Sequence, residues 1–388
     1  MSRPRHHLPV HLAEIELSAL DVDPVMERGP ARILVRRRGR ILGELTIAAG
    51  ATVAREDVEQ EAIGLAVRRS WWRSPVPEET VPGSPSVSVV VCTRDRPDLL
   101  VDCLDALDRC DPQPREIIVV DSASCTSATR EVATTAGVRY ERLDVGGLDR
   151  ARNHGWKSAA GGTVLYVDDD ARLDPRAVAV VAATMEHESV DAVTGLVLPA
   201  EIDSLAQWRF ESSGGMSQGF ERRVFNERTH PIGLETWRVG VGACMAIRRS
   251  LLDDLGGFDP FLDVGTRTRG AGDLDIFYRI LSHGGTIVYE PSCMARHVHR
   301  SDHRSWIRQL LGYGFGYTAF IEKQRATGGI SNGDARRMLL HWHARRRGWQ
   351  LGRAVRRRDV NQLAELVAEG YGSLFGRAAY RAERRSTS

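Results

Sequence analysis

With 388 residues and a formal net charge of +2, the chain is long enough for two or three compact units and has an ordinary soluble charge balance. No apolar run approaches the ~20 residues a helix needs to cross a bilayer, and the start, Met-Ser-Arg-Pro-Arg-His-His, lacks the apolar core of a signal peptide. Six cysteines without CxxC spacing argue against a zinc site or a disulfide framework and for a reducing, cytoplasmic setting.

Residues 1–73 predict a small N-terminal β+α region. Ile33 and Val35, a tight turn at Arg38-Gly39, then Ile41, Leu45 and Ile47 suggest two short strands, and Val58, Ala62, Leu65 and Ala66 set a helix over 55–72. No catalytic constellation is visible there. Residues 74–86, with Pro75, Pro77, Pro82, Gly83 and Pro85, read as a linker. From Val87 strands and helices alternate: strand Val87–Cys92, a helix from Pro97, strand Glu116–Val120, a helix over 126–136, a short strand at 138–141, helix 148–159, and a strand ending in three acids. Such alternation implies an α/β fold with a mostly parallel, doubly wound sheet over residues 87–300. Residues 200–240 lack regular pattern but hold Trp208, Phe210, Phe220, Phe225 and Trp237; these either stack on an acceptor or form core beneath a long loop, and core is preferred. Residues 301–388 predict a helical, basic C-terminal tail. From Asp334 onward thirteen arginines face five acids, giving +8 there and −6 for the rest. That tail is either a solvated basic surface or a contact for anionic lipid headgroups or another subunit. Nucleic acid is the least expected partner, because no reader motif accompanies the basic run.

The strongest chemical signal is Val164 to Val167 running into Asp168, Asp169 and Asp170. Three carboxylates at a strand end repel one another unless something positive sits between them. Hard Mg²⁺ or Mn²⁺ takes oxygen ligands and leaves positions open for phosphate; the plain alternative is a solvated acidic turn. The other strand ends are also polar, at Thr93-Arg94-Asp95-Arg96 and Asp121-Ser122, on the edge where open α/β sheets bind ligands. Neither G-x-G-x-x-G nor a P-loop occurs, which argues against a dinucleotide dehydrogenase and a P-loop NTPase.

Six segments in this order resemble glycosyltransferase family 2, which has the GT-A fold, a Rossmann-like sheet. They are Val-Val-Val-Cys-Thr-Arg-Asp-Arg-Pro (89–97), Val-Val-Asp-Ser-Ala-Ser (119–124), Ala-Arg-Asn-His-Gly (151–155), Tyr-Val-Asp-Asp-Asp (166–170), Gly-Gly-Phe-Asp (256–259) and Gly-Asp-Leu-Asp-Ile-Phe-Tyr-Arg (272–279). The resemblance implies that Thr93, Arg94, Asp95 and Arg96 touch the nucleoside. Asp121, with Ser124 beside it, would contact the base, and Arg152 and Asn153 would lie by the donor's phosphates or sugar. Asp168 would reach the ribose and the cation, with Asp169 beside it. Asp170 would bind the cation, and His297 would complete its sphere. Asp273 would be the catalytic base. Gly272 stands where the family often has Glu, so one carboxylate of that pair is missing. The Q-x-x-R-W signature of processive members is absent, which favours transfer of a single sugar. Gly240-Val-Gly-Ala-Cys-Met resembles the segment facing acceptor or donor sugar.

The chemistry so implied is a hexosyl- or related transferase that moves one sugar from a nucleotide-diphosphate donor to a carbohydrate, lipid or small-molecule hydroxyl. Configuration inverts, helped by Mn²⁺ or Mg²⁺ and an Asp base. Two alternatives stay open: a nucleotidyltransferase, for which Arg94 and Arg96 would meet triphosphate, and a non-catalytic sugar-nucleotide or glycan-binding module. Asp273 could instead cap its helix, as could Asp275. His297 and His299 alternate on a predicted strand, so one would face the site and the other solvent. The expected location is cytoplasmic, with peripheral contact to the inner face of a membrane tied to the basic tail.

Overall fold

The computed structural model describes residues 8–17, 21–22, 30–48, 60–65, 86–187, 189–227, 229 and 236–386. Near the N-terminus β1 (His11–Glu16), β2 (Asp21–Val22), β3 (Ala31–Arg37) and β4 (Arg40–Ile47) form a four-stranded sheet in the order β2-β1-β3-β4. The predicted tight turn is there: Arg38 and Gly39 both have positive φ, 50° and 72°, as a two-residue hairpin turn requires. The Glu16 carboxylate accepts from both of their backbone N–H groups at 2.8 Å, which holds a non-glycine residue in that conformation. Residues 60–65 are helical; the remainder of the helix expected over 55–72, and all but Ser86 of the linker expected over 74–86, lie outside the described residues. This small sheet is fastened to the rest. Arg36 donates to Asp174 at 2.6 Å, and Leu34 and Ile41 join the main core.

The second sheet has nine strands among the described residues. Its first half follows the predicted alternation: β5 (Val87–Thr93), α1 (Pro97–Asp108), β6 (Glu116–Ser122), α2 (Ala128–Thr135), β7 (Arg139–Leu143), α3 (Leu148–Ser158) and β8 (Thr163–Asp168). Strand β5 is buried at every position, which is why it reads as an unbroken apolar run. Then come β9 (Ala171–Leu173), α4 (Ala177–Met185), β10 (Ala192–Pro199), α5 (Leu205–Ser212), β11 (Arg223–Phe225), β12 (Cys244–Arg248), α6 (Arg249–Leu255), α7 (Gly272–Ser282) and β13 (Ile287–His297). The order is β11-β13-β10-β12-β8-β5-β6-β7, with β9 paired to β13. Six strands run one way; β9, β11 and β12 oppose them. The sheet is therefore mostly parallel, but β12 lies antiparallel between β8 and β10, a reversal the strand–helix alternation does not announce.

Among the described residues four α-helices follow β13, α8 (His303–Ala326), α9 (Asn332–Trp342), α10 (Trp349–Arg357) and α11 (Val360–Arg385), with a π-helical turn, His343–Gly348, between α9 and α10. Glycines bring α8 and α11 together. A Cβ at Gly314, Gly372 or Gly376 would collide with the backbone oxygen of Glu369, Leu311 or Phe315. The aromatics of 200–240 belong mainly to the interior: Phe210 and Phe225 are buried, Phe220 packs on the main core and Trp237 meets Tyr317 and Trp342 edge-on. Among the described residues no helix is long and apolar enough to cross a membrane.

Candidate active site

Strand β8 ends at Asp168, and the chain turns through Asp169 and Asp170 into β9. Pairing of β9 with β13 places His297 opposite Ala171, and so beside Asp170. Asp168, Asp170 and His297 each offer a ligand atom, and these atoms lie within 4.8 Å of one another. Two carboxylates and an imidazole suit a divalent ion such as Mn²⁺ or Mg²⁺. The Asp168 side chain is 29% exposed while those of Asp170 and His297 are below 10%, so the cluster opens on one side only.

His297 Nε2 lies 3.0 Å from Asp170 Oδ1. Arg96 is 3.1 Å from Asp170 Oδ2, and Arg300 stands at 3.9 Å. Burial alone would raise the Asp170 carboxyl, but the His297 hydrogen bond and charge, then Arg96 and Arg300, hold it at about 2. Asp169 goes the other way: burial pushes it up to about 6, against the pull of Arg96. Burial also raises Asp168, opposed by Arg152 and aided by Asp170.

The first-strand loop closes over these acids. Thr93 Oγ1 donates to Asp169 at 2.7 Å and Arg96 to Asp169 at 3.0 Å. Asp95, at φ 54°, donates its N–H to Ser124 Oγ at 2.9 Å and accepts from Cys125 N at 2.6 Å. Arg94 is more than half exposed, 3.7 Å from Asp95. Asp121 is fully buried and accepts from Ser124 N, Tyr140 and Arg142 at 2.8, 2.7 and 3.0 Å. Thr93 and Arg96 are thus bonded to Asp169, and Asp95 to Ser124, the two groups being joined through the loop backbone, with Asp121 bonded to Ser124 N.

On the other side Arg152, buried on α3, lies 3.6 Å from Asp168 and 3.1 Å from Asp149, and donates to Gly242 O at 3.5 Å. The N–H of the same Gly242 donates to Asp273 Oδ2 at 3.1 Å, and Leu274 N–H to Asp273 Oδ1 at 2.8 Å. Asp273 starts α7 without capping it; the N-cap is Ala271, with no side-chain bond. Asp275 is fully buried and held by Lys323 at 2.7 Å, Arg279 at 2.8 Å and Gln324 at 2.7 Å. It neither caps the helix nor faces the site. Asn153 points away from the acids: its amide bonds both N–H and C=O of Phe258, at 2.7 and 2.8 Å.

Asp149 and the Glu211–His299 pair enter unannounced by the sequence. Asp149 sits 2% exposed in the first turn of α3, with its Oδ2 buried and unpartnered. A Cβ at Gly272 would overlap that carboxylate. Burial pushes the Asp149 carboxyl well up, opposed by Arg152 and aided by Asp263 and Asp273. His299 does not face solvent, contrary to the alternation expected, because β13 ends at His297 and the chain folds inward. It is 4% exposed, 3.1 Å from His297 between Nδ1 atoms, and paired with Glu211 at 3.0 Å. Glu211 in turn takes Arg32 of the N-terminal sheet at 2.6 Å. The region without a visible constellation therefore reaches the cluster through Arg32, Glu211, His299 and His297. The one faint signal for this was the proximity of His299 to His297.

The family model described as Glycosyl transferase family 2 matches residues 88–256, which span β5 to α6 and hold the acid triplet. Residues 88–256 thus match a glycosyltransferase family 2 domain. The chain is 27% identical over 181 residues to the uncharacterized glycosyltransferase YwdF of Bacillus subtilis, covering 45% of this chain and 62% of that one. It is 33% identical over 72 residues to a Pre-mycofactocin glycosyltransferase of Mycobacterium tuberculosis, covering 19% and 14%. The matches thus span less than two thirds of either relative. In fold, the chain is similar to a mannosyltransferase of Pyrobaculum calidifontis solved with GDP-Man and Mn²⁺, at TM-score 0.50 and 18% identity over 79% of this chain and 92% of that one. The fold is thus of GT-A type, and the matched domain holds the acid triplet, Arg152 and Gly242, with Asp273 and His297 beyond it.

Proposed function

We propose that the protein transfers one sugar, with inversion, from a nucleotide-diphosphate donor to a hydroxyl of a carbohydrate, lipid or small molecule. The observation that carries this reading is the polar path from Asp168 through Arg152 and Gly242 to Asp273, which ties a cation-competent cluster to a carboxylate suited to act as base. Asp168, Asp170 and His297 would hold Mn²⁺ or Mg²⁺, which would neutralise charge on the departing diphosphate. The mannosyltransferase of similar fold was solved with a nucleotide sugar and the same kind of ion.

Asp273 would accept the acceptor's proton as its oxygen attacks the anomeric carbon. Its two backbone hydrogen bonds fix the carboxylate plane and leave lone pairs for that proton. Arg152 would stabilise negative charge near Asp168 as the donor bond breaks, an effect useful only as charge develops. One displacement without a covalent intermediate would invert the configuration. Arg96 is already engaged by Asp169 and Asp170, so of the two arginines that would meet a triphosphate only Arg94 stands open. Chromatography of products from a nucleotide-sugar panel tests the reading. Nucleoside diphosphate supports it; pyrophosphate would make the protein a nucleotidyltransferase, and no turnover with intact donor binding would leave a binding module.

A further inference from the structure

Helix α11 is turned inside out. Its buried side includes Gln362, Glu365, Glu369, Gly372, Ser373 and Gly376. Its large outward residues are Val360, Val367, Tyr371, Leu374 and Phe375, each 45–76% exposed. The inner face explains the small residues, because α8 and α11 meet backbone to backbone at the glycines. It also explains the buried acids in part: Arg209 of α5 reaches Glu365 at 3.2 Å and Asp359, the helix N-cap, at 2.9 Å. Nothing inside the fold explains the outer face.

That face is ordered. Val360, Val367 and Leu374 recur every seven residues, with Ala364, Tyr371 and Ala378 each four residues after one of them, so the six share one stripe along the helix. Both ends of the stripe are basic: Arg356 and Arg358 are exposed before it, and Arg384 and Arg385 at its far end, beside Arg381, which is half exposed and also pairs with Glu322. No acid is among the exposed residues of α11.

We propose that α11 is the docking face for an anionic lipid bilayer, lying in the headgroup layer with its apolar stripe inward and the flanking arginines on lipid phosphates. Charge decides between this occupant and a second copy. Pairing two α11 stripes in either direction sets an arginine-rich end against another, with no exposed acid on the helix to offset it. Anionic headgroups neutralise both ends at once. The proposal is independent of the sugar-transfer chemistry, since it uses none of the site residues.

The test is co-sedimentation of the full chain with phosphatidylcholine vesicles and with vesicles also containing phosphatidylglycerol. Binding to the anionic vesicles is expected to exceed binding to neutral ones by about tenfold or more, and to weaken as salt rises from about 0.1 M to about 1 M. The double variant Val367→Glu/Leu374→Glu changes two side chains that are 70% and 76% exposed. It should lose binding by a similar factor with an unchanged melting temperature. Equal binding to both vesicle types, or full binding by the double variant, overturns the proposal. So does a concentration-dependent dimer in sedimentation velocity that the same two substitutions dissolve, which would make the stripe a seam between copies.

Discussion

At the Asp168–Asp170–His297 end of the site, side chains are held by side chains; at the Asp273 end, a carboxylate is held by backbone amides. The first end is a network. Asp170 leans on His297, Arg96 and Arg300, and His297 on His299, Glu211 and, through it, Arg32. The second is local: Gly242 and Leu274 supply both of the bonds that orient Asp273. Damage should therefore spread at the first end and stay put at the second, because charges in contact couple whereas amide-held groups do so weakly.

The most severe test is Asp170→Ala. Turnover should be abolished and not restored by excess Mn²⁺, and the melting temperature should fall, because His297 and Arg96 lose their shared partner. Wild-type turnover persisting in EDTA would remove the cation from the mechanism. Asp273→Asn comes next. Loss of a general base costs about 10²–10⁴ in kcat, while calorimetric donor affinity and melting temperature should hold; a folded variant that no longer binds nucleotide would recast Asp273 as a donor ligand. Gly272→Ala drives a methyl into the Asp149 carboxylate and displaces the start of α7. A misplacement of that kind costs about 10²-fold, read as a fall in kcat larger than any rise in KM.

Gentler changes sharpen the contrast. Glu211→Gln touches no proposed ligand, yet by freeing His299, the direct partner of His297, it should weaken Mn²⁺ binding by up to about tenfold, the lower end of what loss of a ligating His's own partner costs. Titration of free Mn²⁺ measures this, and an unchanged affinity would mean that the polar relay carries no load. Smallest is an effect remote from both ends. Glu322, on α8, is buried among Arg325, Arg377 and Arg381. Burial would raise its carboxyl, but the three arginines hold it at about 2. A depressed folded value means stability that is present above the ordinary carboxylate range and lost as pH falls towards about 2. Since the arginines are 28–52% exposed, the loss should be about 1–2 kcal/mol. Melting curves of Glu322→Gln should show a correspondingly flatter acid limb.

What the sequence makes legible is what short-range pattern encodes. Strands β5, β6 and β8 and helix α1 announce themselves through apolar runs and i, i+3, i+4, i+7 spacing, and the acid triplet lies where β8 stops. The direction of β12 is set by the pattern-poor stretch over 200–240, so its reversal has no local signal. Asp149 gives no signal of its own in the sequence; the approach of Gly272 and Asp263, distant in the chain, encloses it. Asp121 reads as an open acid at a strand end, yet β7 returns beside it and brings Tyr140 and Arg142. Alternation misplaces His299 because a period of two means nothing past the end of a strand.

The glycine contacts between α8 and α11 have a mechanical consequence. Where backbone bears directly on backbone, sliding or rolling one helix past the other drives main chain into main chain, so this seating resists both. The two helices form a single stave. Lys323 bolts this stave to Asp275 of α7 at 2.7 Å, two residues beyond Asp273. A load applied to the outer face of α11 is passed through a rigid joint and one buried ion pair to the turn that carries the proposed base.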